Sequence, residues 1–186
     1  MIDLFRAAAD LQRFLEERGW RFCFIGGLAV VHWGEPRLTR DIDLTLLTGF
    51  GREEPFVDEL LAHYPARLEN ARAFALENRT LLLAVAGGFP VDIALGGLRF
   101  EEEATRRARD VECSPGISLR LTSPEDLVVM KAFAGRSIDW LDVEGIAIRQ
   151  RGKLDCAYIF RQVAPLLEAK DDVESAPKLR HILGTE

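Results

Sequence analysis

Cysteine is scarce in this chain of 186 residues, and its three copies, Cys23, Cys113 and Cys156, stand far apart with no C-x-x-C pair. That argues against a disulfide framework and a zinc knot, and leaves them as buried small hydrophobes or inert thiols. Histidine is equally sparse: His32, His63 and His181 form no metal-ligand spacing such as H-E-x-x-H. His32 reads as a core or rim residue. No Ser or Cys sits in a nucleophile elbow, and no G-x-x-x-x-G-K-[ST] loop is present, which sets aside P-loop kinases and GTPases. The longest apolar run, Phe22 to Trp33, is too short to span a bilayer and is broken by Gly26 and Gly27. The N-terminus is acidic early and lacks a signal-peptide pattern, so no membrane association and a cytoplasmic location are expected. Positive charge is in deficit as well. With 24 Lys and Arg against 30 Asp and Glu, the net charge of −6 disfavours general adhesion to nucleic acid, whose phosphates are held by Lys and Arg. Two local basic clusters remain, Arg106, Arg107 and Arg109, and Arg149, Arg151 and Lys153. Each reads as a solvated helix end, with a basic groove as the alternative.

Apolar content of 48% and charged content of 29% describe an ordinary globular protein, long enough for one domain or a small two-lobed unit. Leu4, Ala8, Leu11 and Leu15 recur at helical spacing and Gly19 follows as a stop, predicting an opening amphipathic helix. FCFIG reads as a strand, Gly26-Gly27 as a turn, and LAVVHW as a short helix ended by Gly34 and Pro36. RDIDLTLL is a second strand, and EEPFVDELLAHY a helix with Phe56, Leu60 and Tyr64 on one stripe and Pro65 at its end. TLLLAVA and PVDIAL are strands joined as a hairpin at Gly87-Gly88. FEEEATRRAR reads as a charged helix, and DVEC and ISLRL as a strand pair about Pro115-Gly116. From Ser123 onward the pattern is helical, with Ser123 as N-cap, Pro124 at the first helical position and Asp126 as capping-box partner. The expected class is α/β (α+β), a small mixed sheet with flanking helices followed by a helical half. The boundary is placed between residues 1–122 and 123–186.

The chemistry gathers in FIGGLAVVHWGEPRLTRDIDLTL. In an extended strand alternate side chains share a face about 6–7 Å apart, so Asp41 and Asp43 point the same way while Ile42 and Leu44 turn inward. Carboxylates held side by side repel unless a cation sits between them, which suggests a divalent-metal site beside a glycine turn. Asp92, flanked by apolar Val91 and Ile93, reaches the same surface if the two strands are neighbours. A bare D-x-D is weak evidence. Its company, the glycine pair upstream, Arg37, Thr39 and Arg40 directly before it and Asp92 after it, is what metal-assisted nucleotide transfer requires. The plain alternative for Gly26 and Gly27 is a tight strand-to-helix turn and nothing more.

The run GGLAVVHWGEPRLTRDIDL, followed by VDI, resembles the nucleotidyltransferases of the DNA polymerase β superfamily. The tail LTSPEDLVVMKAFAGRSIDWLDVEGIA resembles more narrowly their AbiEii-type branch, which includes toxins of some bacterial toxin–antitoxin and abortive-infection systems. The resemblance implies a transferase that moves a nucleoside monophosphate from a nucleoside triphosphate to an acceptor hydroxyl, on RNA or protein. It implies two Mg²⁺ ions held by Asp41, Asp43 and Asp92, nucleotide binding by Gly26, Gly27, Arg37 and Thr39, and an antitoxin protein as partner. Many superfamily members carry Ser where this chain has Gly27, so one hydroxyl contact to phosphate is absent. Arg40 points away from the pair. Lys131, the one charge in LVVMKAFAG, either snorkels from a core face or, by the resemblance, lies near the nucleotide. Arg136, Asp139 and Asp142, spaced by three, read as an ion-pair network, with substrate contact as the alternative. Two rival functions stand beside this one. The first is a small-molecule, antibiotic-type nucleotidyltransferase with Glu101, Glu102 and Glu103 lining a pocket for a cationic acceptor. The second is a non-catalytic interaction protein that kept the fold.

Overall fold

The computed structural model describes residues 1–185. These divide into two compact units, the first comprising residues 1–28 and 38–122, the second residues 29–37 and the described residues from 123 onward. The chain crosses from one to the other within a helix that starts at the glycine pair.

The first unit is built on a six-stranded mixed sheet. Its strands are β1 (Phe22–Phe24), β2 (Ile42–Leu47), β3 (Thr80–Val85), β4 (Phe89–Gly96), β5 (Arg109–Ser114) and β6 (Ile117–Leu121), in the order β3-β4-β2-β1-β6-β5. The pairs β2/β4 and β1/β6 are parallel and the other three antiparallel. Parallel pairing needs long crossovers. Between β2 and β4 the chain makes α3 (Glu54–His63), α4 (Ala71–Asn78) and the edge strand β3 before returning. Helix α1 (Ile2–Glu17) buries Leu4, Phe5, Ala8, Leu11 and Leu15, the stripe its periodicity predicts, and packs on β6 and β5. Helix α5 (Arg99–Arg107) packs on β2 and β1, and α4 on β3. In β2 and β4 the residues Ile42, Leu44, Val91 and Ile93 are fully buried. Each such side chain contributes about 1.5–3 kcal/mol by leaving water. This burial fixes which face Asp43 and Asp92 occupy, because a one-residue slip would carry the apolar set to the other side.

The hairpin between β3 and β4 closes at register Val85↔Phe89, so its loop has three residues, Ala86–Gly88, rather than Gly87-Gly88 alone. The β5/β6 hairpin turns on Pro115-Gly116, with Ser114 opposite Ile117, and bulges between Glu112 and Ser114. Helix α4 has a weak apolar stripe, only Ala71 and Ala75 being buried, and periodicity alone does not disclose it.

The second unit holds most of α2 (Gly26–Trp33) and the helices α6 (Pro124–Ala134), α7 (Ser137–Arg149), α8 (Cys156–Ala169) and α9 (Ser175–Leu183). Helix α6 starts as its sequence predicts: Ser123 is the N-cap, its Oγ accepting from the Asp126 backbone N–H at 3.1 Å. The Asp126 carboxylate is fully buried and accepts from the Ser123 hydroxyl and the Tyr158 hydroxyl, both at 2.6 Å. Gly34 lies against Ile146, and Gln150 donates to the Trp33 carbonyl at 3.0 Å, fastening residues 29–37 to α7. Among the described residues no helix is long and apolar enough to cross a membrane.

Candidate active site

Asp43 and Asp92 are register partners in the parallel β2/β4 ladder. Neighbouring strands lie about 4.8 Å apart, and paired residues share a face, so the two carboxylates are adjacent on the sheet surface. Both residues are half-buried, while their neighbours Ile42, Leu44, Val91 and Ile93 face the core. Asp41 is exposed and lies one residue before β2 begins, outside the strand expected to contain it. Its backbone carbonyl accepts from the Thr39 hydroxyl at 3.4 Å.

The glycine pair opens α2 rather than preceding it, and it gives space to this carboxylate segment. Gly26 has φ +55°, and a Cβ there would stand 2.0 Å from Asp43 Oδ2. A Cβ on Gly27 would stand 2.2 Å from Thr39 Oγ1. Real Cβ atoms do not approach so closely, so any other residue displaces the Asp43 carboxylate or the Thr39 hydroxyl. Ile25, just upstream, donates its N–H to the Asp43 carbonyl at 2.9 Å and ties the strand end to the carboxylate row. The first amides of α2 and the positive end of its dipole therefore adjoin Asp43 and Thr39, an arrangement suited to an anion.

Asp92 has a partner that the sequence pattern does not disclose. Arg67, in the irregular segment after α3, sets its Nη1 on Asp92 Oδ1. The backbone around Arg67 is held to the sheet edge: Ala66 bridges to Leu83, the Arg67 N–H donates to the Leu82 carbonyl at 3.0 Å, and the Ala84 N–H donates to the Pro65 carbonyl at 2.9 Å. Because Leu82 pairs with Asp92, the residues Arg67, Leu82, Asp92 and Asp43 form one row across the sheet.

Hard carboxylate oxygens are the donors Mg²⁺ prefers, and Asp43 and Asp92 offer two such groups from adjacent strands, with Asp41 just ahead of β2. The missing Gly26 Cβ leaves the Asp43 carboxylate its place. The residues thus fit a divalent ion in kind. They are not closed around one: among the described residues no three His, Cys, Asp or Glu side chains already form a cluster able to hold a metal, and Asp92 is turned to Arg67.

Lys131 and Arg37 lie in the second unit. Lys131 is buried, and its Nζ meets Asp139 Oδ1 at 2.7 Å and Asp142 Oδ2 at 2.9 Å, so it does not snorkel out. Arg37 grips Asp142 with two bonds, Nε to Oδ1 at 2.8 Å and Nη2 to Oδ2 at 3.0 Å. Arg136 does the same to Asp139 at 2.6 and 3.1 Å. Burial works against ionisation of Asp139, yet hydrogen bonds from Arg136 and Lys131 outweigh it and hold its carboxyl below the usual range. Burial opposes Asp142 in the same way, and Arg37 and Lys131 overcome it. His32 is half-buried, and burial, helped by the nearby Arg149 charge, lowers its pKa, so the ring is neutral at pH 7. Of the acidic run proposed for a cationic acceptor, Glu101 accepts from the Gly97 and Leu98 backbone N–H groups at 2.7 and 2.8 Å, and Glu103 pairs with Arg106. Those two carboxylates are engaged locally.

The chain superposes on two solved structures over almost its whole length. One is an antigenic nucleotidyltransferase-like protein from Paracoccidioides brasiliensis, with a TM-score of 0.54 at 16% identity, covering 95% of this chain and 92% of that one. The fold is that of a nucleotidyltransferase. The other is the antibiotic-resistance factor ANT(2'')-Ia, with a TM-score of 0.54 at 17% identity and 97% of both chains covered. No family model and no curated protein sequence matches the chain.

Proposed function

We propose that this protein is a metal-dependent nucleotidyltransferase that moves a nucleoside monophosphate from a nucleoside triphosphate to an acceptor hydroxyl. One observation carries the reading. Asp43 and Asp92 stand side by side in the β2/β4 ladder, and Gly26 surrenders its side-chain space to the Asp43 carboxylate where α2 starts. A tight turn alone does not require a carboxylate in that space. The nucleotidyltransferase fold supports the same reading.

In this mechanism the amides of Gly26 and Gly27 and the Thr39 hydroxyl bind the outer phosphates, which depart together as pyrophosphate. Mg²⁺, two ions held by Asp41, Asp43 and Asp92, would neutralise the triphosphate and acidify the acceptor hydroxyl. The acceptor oxygen forms its bond to the α-phosphorus as the bond to the bridging oxygen breaks, and the hydroxyl proton passes toward Asp92. Arg37 and Lys131 are already satisfied by Asp142, and we assign them to holding residues 29–37 and α6 on α7, with no direct contact to nucleotide. Residues 1–122 are proposed as the catalytic part and 123–186 as a helical subdomain.

The preferred acceptor is RNA or protein, and the proposed setting is the toxin of a toxin–antitoxin pair, for which the support is the LTSPEDLVVMKAFAGRSIDWLD segment. A second reading, transfer to a small antibiotic-like molecule, is favoured by the match along 97% of both chains to ANT(2'')-Ia. Incubation with each α-labelled triphosphate, Mg²⁺ and cell extract, then with a panel of small-molecule antibiotics, separates the two. The proposal expects label on a macromolecule with wild-type protein and none with Asp43→Asn of unchanged fold. Equal labelling by that variant overturns it.

A further inference from the structure

Arg67 is a cation placed on a proposed metal ligand, and nothing in the nucleotide-transfer reading uses it. Its backbone is tied to β3 on both sides, through Pro65 to Ala84 and through its own N–H to Leu82, so the pairing with Asp92 is set by the sheet edge rather than by a wandering loop. Its side chain crosses Leu82 to reach the carboxylate on the next strand. Both partners are partly exposed, 37% for Arg67 and 43% for Asp92. A pair of that exposure is weak, because solvent screens it, and another cation can take the place of the guanidinium on Asp92. A buried pair like that of Lys131 and Asp139 does not have this freedom.

We propose that Arg67 is a positioning residue that acts through Asp92. It serves as the counter-ion of the carboxylate row, and a divalent ion must displace it, so Arg67 sets the metal concentration at which the site closes. The inference rests on the metal-site reading above. Asp43 and Asp92 stand adjacent on one face, and the guanidinium on Asp92 offsets part of the negative charge there. A divalent ion neutralises both, and Arg67 swings off Asp92 into solvent at the sheet edge. The occupant is a hard divalent cation, which suits the oxygen donors present.

The test is direct binding of Mn²⁺ alone, read from the loss of its free-ion paramagnetic resonance signal, for the full chain as wild type, Arg67→Ala, Arg67→Lys and Asp43→Asn. The Arg67 side chain is partly exposed and its anchoring bonds are made by backbone, so Arg67→Ala keeps the fold. The expected result is a dissociation constant about three- to tenfold lower in Arg67→Ala, intermediate binding in Arg67→Lys, and weakened binding in Asp43→Asn. The Mg²⁺ concentration giving half-maximal transfer shifts the same way. Asp92→Asn, introduced into wild type and into Arg67→Ala, removes the difference between those two backgrounds, since the competition runs through Asp92. Mn²⁺ binding by wild type that is unchanged or weakened in Arg67→Ala overturns the inference and leaves the metal reading standing. Absence of Mn²⁺ binding in wild type and Arg67→Ala alike overturns both.

Discussion

Replacing Lys131 with Met separates the structural role assigned to this lysine from a part in nucleotide binding. The side chain is 8% exposed, and its two partners, Asp139 and Asp142, are 0% and 3% exposed. Removing one member of a buried ion pair costs about 3–5 kcal/mol, mostly because the other charge is left without compensation. Here each carboxylate retains an arginine, Arg136 or Arg37, so a loss near the lower end, about 3 kcal/mol, is expected. At roughly 2–4 °C per kcal/mol for a chain of this size, the midpoint of thermal unfolding drops by about 6–12 °C. The pH response follows from the same groups. In wild type both carboxyls are held below their ordinary pKa, so their stabilisation is complete above the unfolded value and is lost as pH falls through the depressed folded value. Without Lys131 that depression shrinks, and the stability gap between wild type and variant narrows as pH is lowered below about 4. Urea unfolding followed by fluorescence of Trp140, whose indole donates to the Gly135 carbonyl at 3.1 Å beside the cluster, reports both. A change below about 1 kcal/mol together with a large rise in the KM for nucleotide refutes the structural role.

Gly26→Ala tests the origin of the glycine pair. The added Cβ meets Asp43 Oδ2, and the left-handed backbone costs about 1–2 kcal/mol, so transfer falls at least about a hundredfold while urea curves show a loss of about 1–2 kcal/mol with the fold retained. Gly27→Ala displaces the Thr39 hydroxyl, and nucleotide binding, measured by calorimetry, weakens as it does in Thr39→Ala, which removes that hydroxyl. Tyr158→Phe strips a donor from fully buried Asp126 and lowers unfolding stability by about 1.5–3 kcal/mol in urea. Replacing Arg106, Arg107 and Arg109 together weakens RNA binding and flattens its salt dependence if RNA is the acceptor, as read by filter binding at several salt concentrations.

Local chemistry is readable from the chain. Ser123-Pro124 marks a helix start because capping and proline geometry are properties of adjacent residues, and alternation in Asp41-Ile42-Asp43-Leu44 marks which side of a strand is wet. The hairpins at Gly87-Gly88 and Pro115-Gly116 are visible for the same reason, although the first loop takes one more residue. What stays hidden depends on residues distant in sequence. Arg67 lies 25 positions from Asp92 in a stretch with no periodicity, and only the β3 edge pairing brings it over the carboxylate. The purpose of the glycines is equally obscure, since the side chains that fill their space come from Thr39 and Asp43. The triple spacing of Arg136, Asp139 and Asp142 hints at an ion network, but not that Lys131 and Arg37 complete it.

The account's central claim concerns which phosphorus is transferred. Parallel reactions with α-labelled and γ-labelled nucleoside triphosphate, each with Mg²⁺, cell extract and either wild-type protein or Asp43→Asn, measure it directly. The account predicts label on the acceptor from the α position alone, with labelled pyrophosphate released from the γ-labelled reaction and both signals lost in Asp43→Asn. Label delivered from the γ position, or α-transfer that persists in Asp43→Asn, would contradict it.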